Sequence, residues 1–124
     1  MDIYGLTSLD TQALINILSD AEDYLIKTYD RVAPDHKLGY LYQVKYKNGF
    51  GISVAKVTYP LFSDEGNIES FDSLYSTLGF KENLWSVAVM QDGKATDEVH
   101  DYCDTKKVVE LAKQIQALPA KELS

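Results

Sequence analysis

The sequence predicts an α+β domain: an antiparallel sheet of about four strands, built as two hairpins and packed with an N-terminal helix, a short middle helix and a C-terminal helix. Three observations carry this reading. Apolar residues recur at helical spacing near both ends, the turn pairs Asn48-Gly49 and Asp92-Gly93 interrupt runs of β-branched and aromatic residues, and no internal repeat or low-complexity segment intervenes. A chain of 124 residues that is 45% hydrophobic and 25% charged, with three prolines, suits one domain over residues 1–124 with a real core.

The first element follows from Thr7-Ser8-Leu9-Asp10, which has the form of a capping box with Asp in place of Glu. Leu14, Ile17, Leu18, Ala21 and Leu25 then fall at helical spacing, predicting a helix from about Ser8 to Arg31 that ends before Val32-Ala33-Pro34. Its opposite face carries Asp20, Glu22, Asp23, Lys27 and Asp30, the composition of a solvated surface.

The first hairpin lies in YLYQVKYKNGFGISVAKVTY, residues 40–59. A two-residue Asn48-Gly49 turn would set Lys45 against Ile52 and Gln43 against Val54. A three-residue loop of Lys47, Asn48 and Gly49 instead sets Tyr46 against Phe50, Val44 against Ile52 and Tyr42 against Val54, one continuous apolar face. The second register is preferred. It needs Gly49 in the left-handed region, where a Cβ is penalised, and it leaves Asn48→Asp as an expected tolerated change. After Val54 the apolar phase slips to Ala55, Val57 and Tyr59, which implies a strand buried on both faces or a second bulge.

Ile68, Phe71, Leu74, Tyr75 and Leu78 are spaced for a short middle helix, with Gly79 as its stop. LWSVAVM, residues 84–90, reads as a buried strand, and Asp92-Gly93 turns the chain into a return strand within Lys94 to Cys103. Asp104 then caps a helix whose stripe is Val108, Leu111, Ala112, Ile115 and Leu118, ending before Pro119.

Little catalytic chemistry is legible. No glycine-rich loop precedes Lys-Ser or Lys-Thr, and Asn-Gly-Phe-Gly is accounted for by its turn. TDEVHDYCD gathers His100 and Cys103 among Asp97, Glu98, Asp101 and Asp104, all of them zinc-ligating types. A structural zinc site ordinarily draws on two separated pairs, and the chain has one other histidine, His36, and no other cysteine. The favoured reading puts Cys103 in the core and His100 on a polar strand face, with no catalytic residue, metal or cofactor. A lone cysteine also fits a reducing compartment. With no basic-then-apolar leader and no run of membrane-spanning length, a cytoplasmic protein is expected.

Nine tyrosines are present, and Tyr40, Tyr42 and Tyr46 share one strand face. Tyrosine suits binding surfaces, but it also favours strands, and the reading preferred here is a core face under a helix. Charge is more informative. The net charge is −7, with a balance of −5 in residues 1–23, +4 in 24–60, −8 in 61–104 and +2 in 105–124. Direct binding to nucleic acid by the acidic segments is therefore disfavoured. Asp20, Glu22, Asp23, Asp64, Glu65, Glu69 and Asp72 form the candidate binding surface, one suited to a basic groove on a protein partner, against the simpler role of maintaining solubility.

The runs YQVKYKNGFGISV and LWSVAVMQDG, then YCDT before an amphipathic helix, resemble a group of small bacteriophage and prophage proteins. The likeness covers residues 40–60 and 84–118, and it departs between Pro60 and Asn83, where this chain has a longer connection. It implies a phage or mobile-element origin and brings no catalytic residues. Together with the acidic polarity, it leads to the expectation of a non-enzymatic inhibitor of a bacterial defence system, anti-CRISPR-like, acting on a nucleic-acid-binding effector. A toxin-neutralising immunity protein, or a small metal protein or enzyme centred on His100 and Cys103, stands as the alternative.

Overall fold

The computed structural model describes residues 8–29, 38–58, 60–65, 68–71 and 83–119. The elements in order are α1 (Thr11–Ile17), β1 (Ala21–Tyr29), β2 (Leu38–Tyr46), β3 (Phe50–Thr58), β4 (Pro60–Phe62), β5 (Ile68–Phe71), β6 (Trp85–Gln91), β7 (Lys94–Cys103) and α2 (Thr105–Gln116). The main sheet has five strands in the order β1-β2-β3-β6-β7, every neighbouring pair antiparallel, while β4 and β5 form a separate two-stranded ribbon. The α+β class with an antiparallel sheet therefore holds, but the main sheet has five strands rather than about four, and the described residues contain two helices rather than three.

The extra strand comes from the expected N-terminal helix, which stops far short of Arg31. Asp10, not Thr7 or Ser8, is its N-cap, accepting the Ala13 N–H at 2.7 Å, and Leu18 closes the helix. Asp20 then adopts φ 59°, and its carbonyl accepts the Lys47 N–H at 3.2 Å, turning the chain into register with β2. Residues 24–29, YLIKTY, are mostly β-formers, and pairing with β2 overrides a helical spacing that only Leu14, Ile17 and Leu18 needed.

The first hairpin has the preferred register. Val44 pairs with Ile52 and Tyr42 with Val54, the Gly49 N–H donates to Tyr46 O at 3.1 Å, and Gly49 sits at φ 87°. Gly49→Ala is expected to cost about 1 kcal/mol, measured by urea denaturation, because alanine pays a steric penalty there. An unchanged midpoint would argue against the bulged loop.

Beyond Val54 the structure follows neither expected alternative. The β2–β3 register runs unbroken to Leu38↔Thr58, and Lys56 and Thr58 keep the core-facing parity and are buried, while Val57 is exposed. The apolar phase slips because two polar residues take core positions. The Lys56 ammonium lies 4.2 Å from the centre of the Trp85 ring and hydrogen-bonds to Asn83 Oδ1, which keeps the buried charge solvated by the protein.

The expected middle helix is corrected over its first turn. Ile68–Phe71 is extended and pairs with β4, Phe62 opposite Ile68 and Pro60 opposite Phe71. The remainder of that helix, Leu74 to Leu78, lies outside the described residues. The second hairpin is as expected: Gln91 pairs with Lys94, and Asp92 and Gly93 take φ 55° and 79°, both left-handed as a type I′ turn requires.

Asp104 Oδ1 accepts the Lys107 N–H at 2.8 Å and starts α2, whose Val108, Leu111, Ala112 and Ile115 are buried. Leu118, the expected last member of the stripe, lies past the C-cap Ala117 and is exposed. The core joins these side chains to Ala13 and Ile17 of α1 and to Tyr42, Val44, Tyr46, Ile52, Val54, Trp85, Val87 and Cys103 on one sheet face. Trp85 is fully buried, with Tyr42 edge-on at 5.7 Å.

The first turn also reaches the end of α2. Asn48 Nδ2 donates to Ile115 O at 2.8 Å and to Leu118 O at 3.1 Å, while Asn48 Oδ1 accepts the Phe50 N–H at 3.0 Å. Its amide thus gives Ile115 O a second donor beside the Leu118 N–H, itself 3.1 Å away, and serves Leu118 O just past the helix end. That use of both ends of the amide reverses the expectation that aspartate would be tolerated there.

Candidate interaction surface

Every acidic side chain described in the structure is exposed: Asp20, Glu22, Asp23, Asp64, Glu65, Asp97, Glu98 and Asp101 are among them. Among the described residues Lys56 is the charged side chain that is buried, so its charge is withdrawn from solvent while the described acids face it.

Asp20, Glu22 and Asp23 are brought together where α1 turns into β1. They do not stand as bare carboxylates, because Glu22 Oε2 lies 3.6 Å from Lys45 Nζ and Asp23 Oδ1 accepts the Tyr24 N–H at 2.9 Å. Such an exposed ion pair contributes little to stability. Asp64 and Glu65 lie after β4 and are exposed. Glu69 is in β5, where only the backbone is described, and Asp72 lies outside the described residues.

A second group of acids occupies the far edge of the sheet. Asp97, Glu98 and Asp101 are exposed along β7, Ser86 Oγ donates to Asp101 Oδ1 at 2.9 Å, and His100 Nε2 is 3.2 Å from Glu98 Oε2. The sequence reading weighed these residues as ligands and left them out of the acidic surface. What exposes them is the place of β7 at the end of the sheet, which follows only from the strand order.

Cys103 lies in the core, and its thiol sits 3.4 Å from His100 O. Burial pushes the thiol up from its ordinary value, only partly offset by Lys107, so the reactive thiolate is disfavoured. Among the described residues no three or more His, Cys, Asp or Glu side chains converge as a metal site requires.

Tyr42 and Tyr46 are core residues, and Tyr40 packs half-buried against the core. Tyr46 donates to Ile17 O at 2.5 Å and burial pushes it up to about 12, while Tyr42 accepts the Leu9 N–H at 3.3 Å and is also raised by burial. Exposed apolar groups among the described residues include Tyr24, Leu25 and Ile26 on β1 and Val99 and Tyr102 on β7, with Ile15, Val57 and Leu118 standing singly. A groove of about 220 Å³, lined by Asp23, Leu25, Gln43, Lys45, Gly51 and Met90 among others, opens beside β1. It is a shallow mixed surface suited to a side chain of a partner rather than an enclosed substrate.

No helix among the described residues is long and apolar enough to cross a membrane. Compared with protein-family models, curated proteins and solved structures, the chain matches none.

Proposed function

We propose that this chain is a non-enzymatic binding protein that uses its acidic surface to occupy a basic, nucleic-acid-binding groove of a protein partner, as an inhibitor of a bacterial defence effector would. The observation that carries the reading is the uniform exposure of the described acids, among them Asp20, Glu22 and Asp23 near the β1 edge, Asp97, Glu98 and Asp101 on the β7 edge, and Asp64 and Glu65 after β4, in a chain of net charge −7. A negative field of this kind steers a basic partner and repels nucleic acid itself. The phage-like resemblance of the two hairpins supports a counter-defence setting. The buried, protonated Cys103 supports binding over nucleophilic chemistry.

The test begins with affinity capture of the tagged protein from a bacterial host carrying defence systems, followed by binding kinetics on the purified partner. Reversing Asp64, Glu65, Asp97 and Glu98 to lysine together is expected to slow association about tenfold or more while changing dissociation little, because long-range charge acts on encounter. Added salt is expected to weaken the wild-type complex, since exposed charges are screened beyond about 8 Å at physiological ionic strength. The wild-type protein is also expected to displace duplex DNA or RNA from the partner. Association insensitive to both salt and charge reversal, with no displacement, overturns the proposal.

A further inference from the structure

β1 is an edge strand of the main sheet, and among the described residues no strand lies on its far side. An open edge carries unpaired backbone groups, and proteins usually blunt it with a lysine, a bulge or a short length. Here the strand is nine residues long, and Tyr24, Leu25 and Ile26 in its middle are 59%, 46% and 42% exposed. A bulge at Ala21/Asp23 disturbs only its start, so residues 23–29 run in regular register.

We infer that β1 pairs antiparallel with β1 of a second copy of this chain, in the register centred on Leu25, joining two five-stranded sheets into one continuous sheet. The inference rests on β1 alone and goes beyond the acidic-surface reading. Two copies joined edge to edge are related by a two-fold axis perpendicular to the sheet, which keeps each side chain on its own face. The axis must then pass midway between the two copies of one β1 residue, so the possible registers are few. Centred on Tyr24, the pairing sets Asp23 against Leu25 and Glu22 against Ile26. Centred on Ile26, it sets Leu25 against Lys27 and Asp23 against Tyr29.

Centred on Leu25, the middle of the strand pairs favourably: Leu25 meets Leu25, Tyr24 meets Ile26 and Asp23 meets Lys27, the last two occurring twice, while Thr28 falls opposite Glu22 at the bulged start. Aromatic with β-branched and acid with base are the favourable cross-strand pairs. A single-sign guard would repel a second copy in every register. Asp23 and Lys27 instead stand symmetrically about Leu25 and attract in one. In the free chain these charges are held locally, Asp23 Oδ1 by the Tyr24 N–H and the Lys27 ammonium 5.7 Å from the centre of the Tyr29 ring. Pairing exchanges these local contacts for ones across the two-fold axis.

The test is sedimentation velocity of the purified full chain from micromolar to near-millimolar concentration, with circular dichroism confirming that each variant is folded. The wild type is expected to convert from monomer to dimer. Asp23→Lys and Lys27→Asp are each expected to weaken the dimer about tenfold or more, because each places like charges opposite one another twice, and the double exchange is expected to restore it. In parallel, Leu25→Cys is expected to give a disulfide-linked dimer under mild oxidation, since residues directly opposite are within disulfide reach, whereas Asp23→Cys is not. A wild type that stays monomeric throughout, a double exchange as weak as either single, or equal cross-linking at the two positions overturns the inference.

Discussion

Trp85→Ala is expected to lower the unfolding free energy by about 3–5 kcal/mol, the range for deleting a large aromatic from a packed core. Trp85 is fully buried, and three neighbours depend on its ring: Tyr42 packs edge-on, Tyr40 lies 6.4 Å away, and the Lys56 ammonium rests on its face. Removal leaves a cavity and also strips a buried cation of its aromatic partner, so the loss lies toward the upper end of that range. Trp85→Phe is expected to cost clearly less, because a ring remains for both contacts. Urea denaturation followed by circular dichroism measures both, since the chain has no other tryptophan to report by fluorescence. A loss below about 1 kcal/mol for the alanine variant would mean that the core does not depend on this residue.

The second large effect is expected at Asn48. Asn48→Asp removes the donor that serves Ile115 O and Leu118 O and sets a carboxylate against those carbonyls, at the negative end of the α2 dipole. The expected loss at neutral pH is about 2–3 kcal/mol. Asn48→Ala is expected to lose less, because it removes two donated hydrogen bonds without adding charge and Ile115 O keeps the Leu118 N–H. The introduced carboxyl is favoured neutral in the fold, so its deficit shrinks as pH falls through the carboxyl range and is fullest above it. Thermal melts of both variants at acidic and neutral pH provide the check. Equal stability of the aspartate variant and the wild type at neutral pH would show that the turn and the helix are not coupled.

What could be read from the sequence depended on whether a local signal had one physical cause. Asn48-Gly49 and Asp92-Gly93 were legible because a left-handed turn admits few residues, and the register of the first hairpin followed from facing apolar pairs. Asp104 and the stripe from Val108 to Ile115 were legible for the same reason. β1 was not, because Ala21 and Leu25 extend the helical spacing of α1 by coincidence, and only pairing with Tyr46 and Gln43 across the sheet decides between the two periods. Lys56 misled in the opposite sense: a lysine at a core-facing position looks like a change of phase until its aromatic partner, far along the chain, is known.

Of the candidate surface, the charges are legible in the sequence but their grouping is not. Asp20, Glu22 and Asp23 were assigned to a helix face and lie instead at a turn and on a sheet edge beside Lys45. Asp97, Glu98 and Asp101 were read for coordination chemistry, because their position on the opposite edge strand depends on β6 pairing with β3, a contact between distant segments.

The order in which the core is assembled bears on synthesis. β1, β2 and β3 are successive neighbours and can form a meander as soon as they emerge, with Tyr42, Val44, Tyr46, Ile52 and Val54 on one face. The helix that supplies Val108, Leu111, Ala112 and Ile115 to that face follows all the described strands in the sequence, and it is fastened by Asn48 at one contact and by Gln116 to Asn16 O, at 2.8 Å, at another. A nascent chain that has not yet reached Asp104 therefore lacks the cover of α2 on its apolar sheet face, an interval in which association with chaperones competes with self-association. A ribosome stalled before Asp104 would hold a chain with its strands made and its core open.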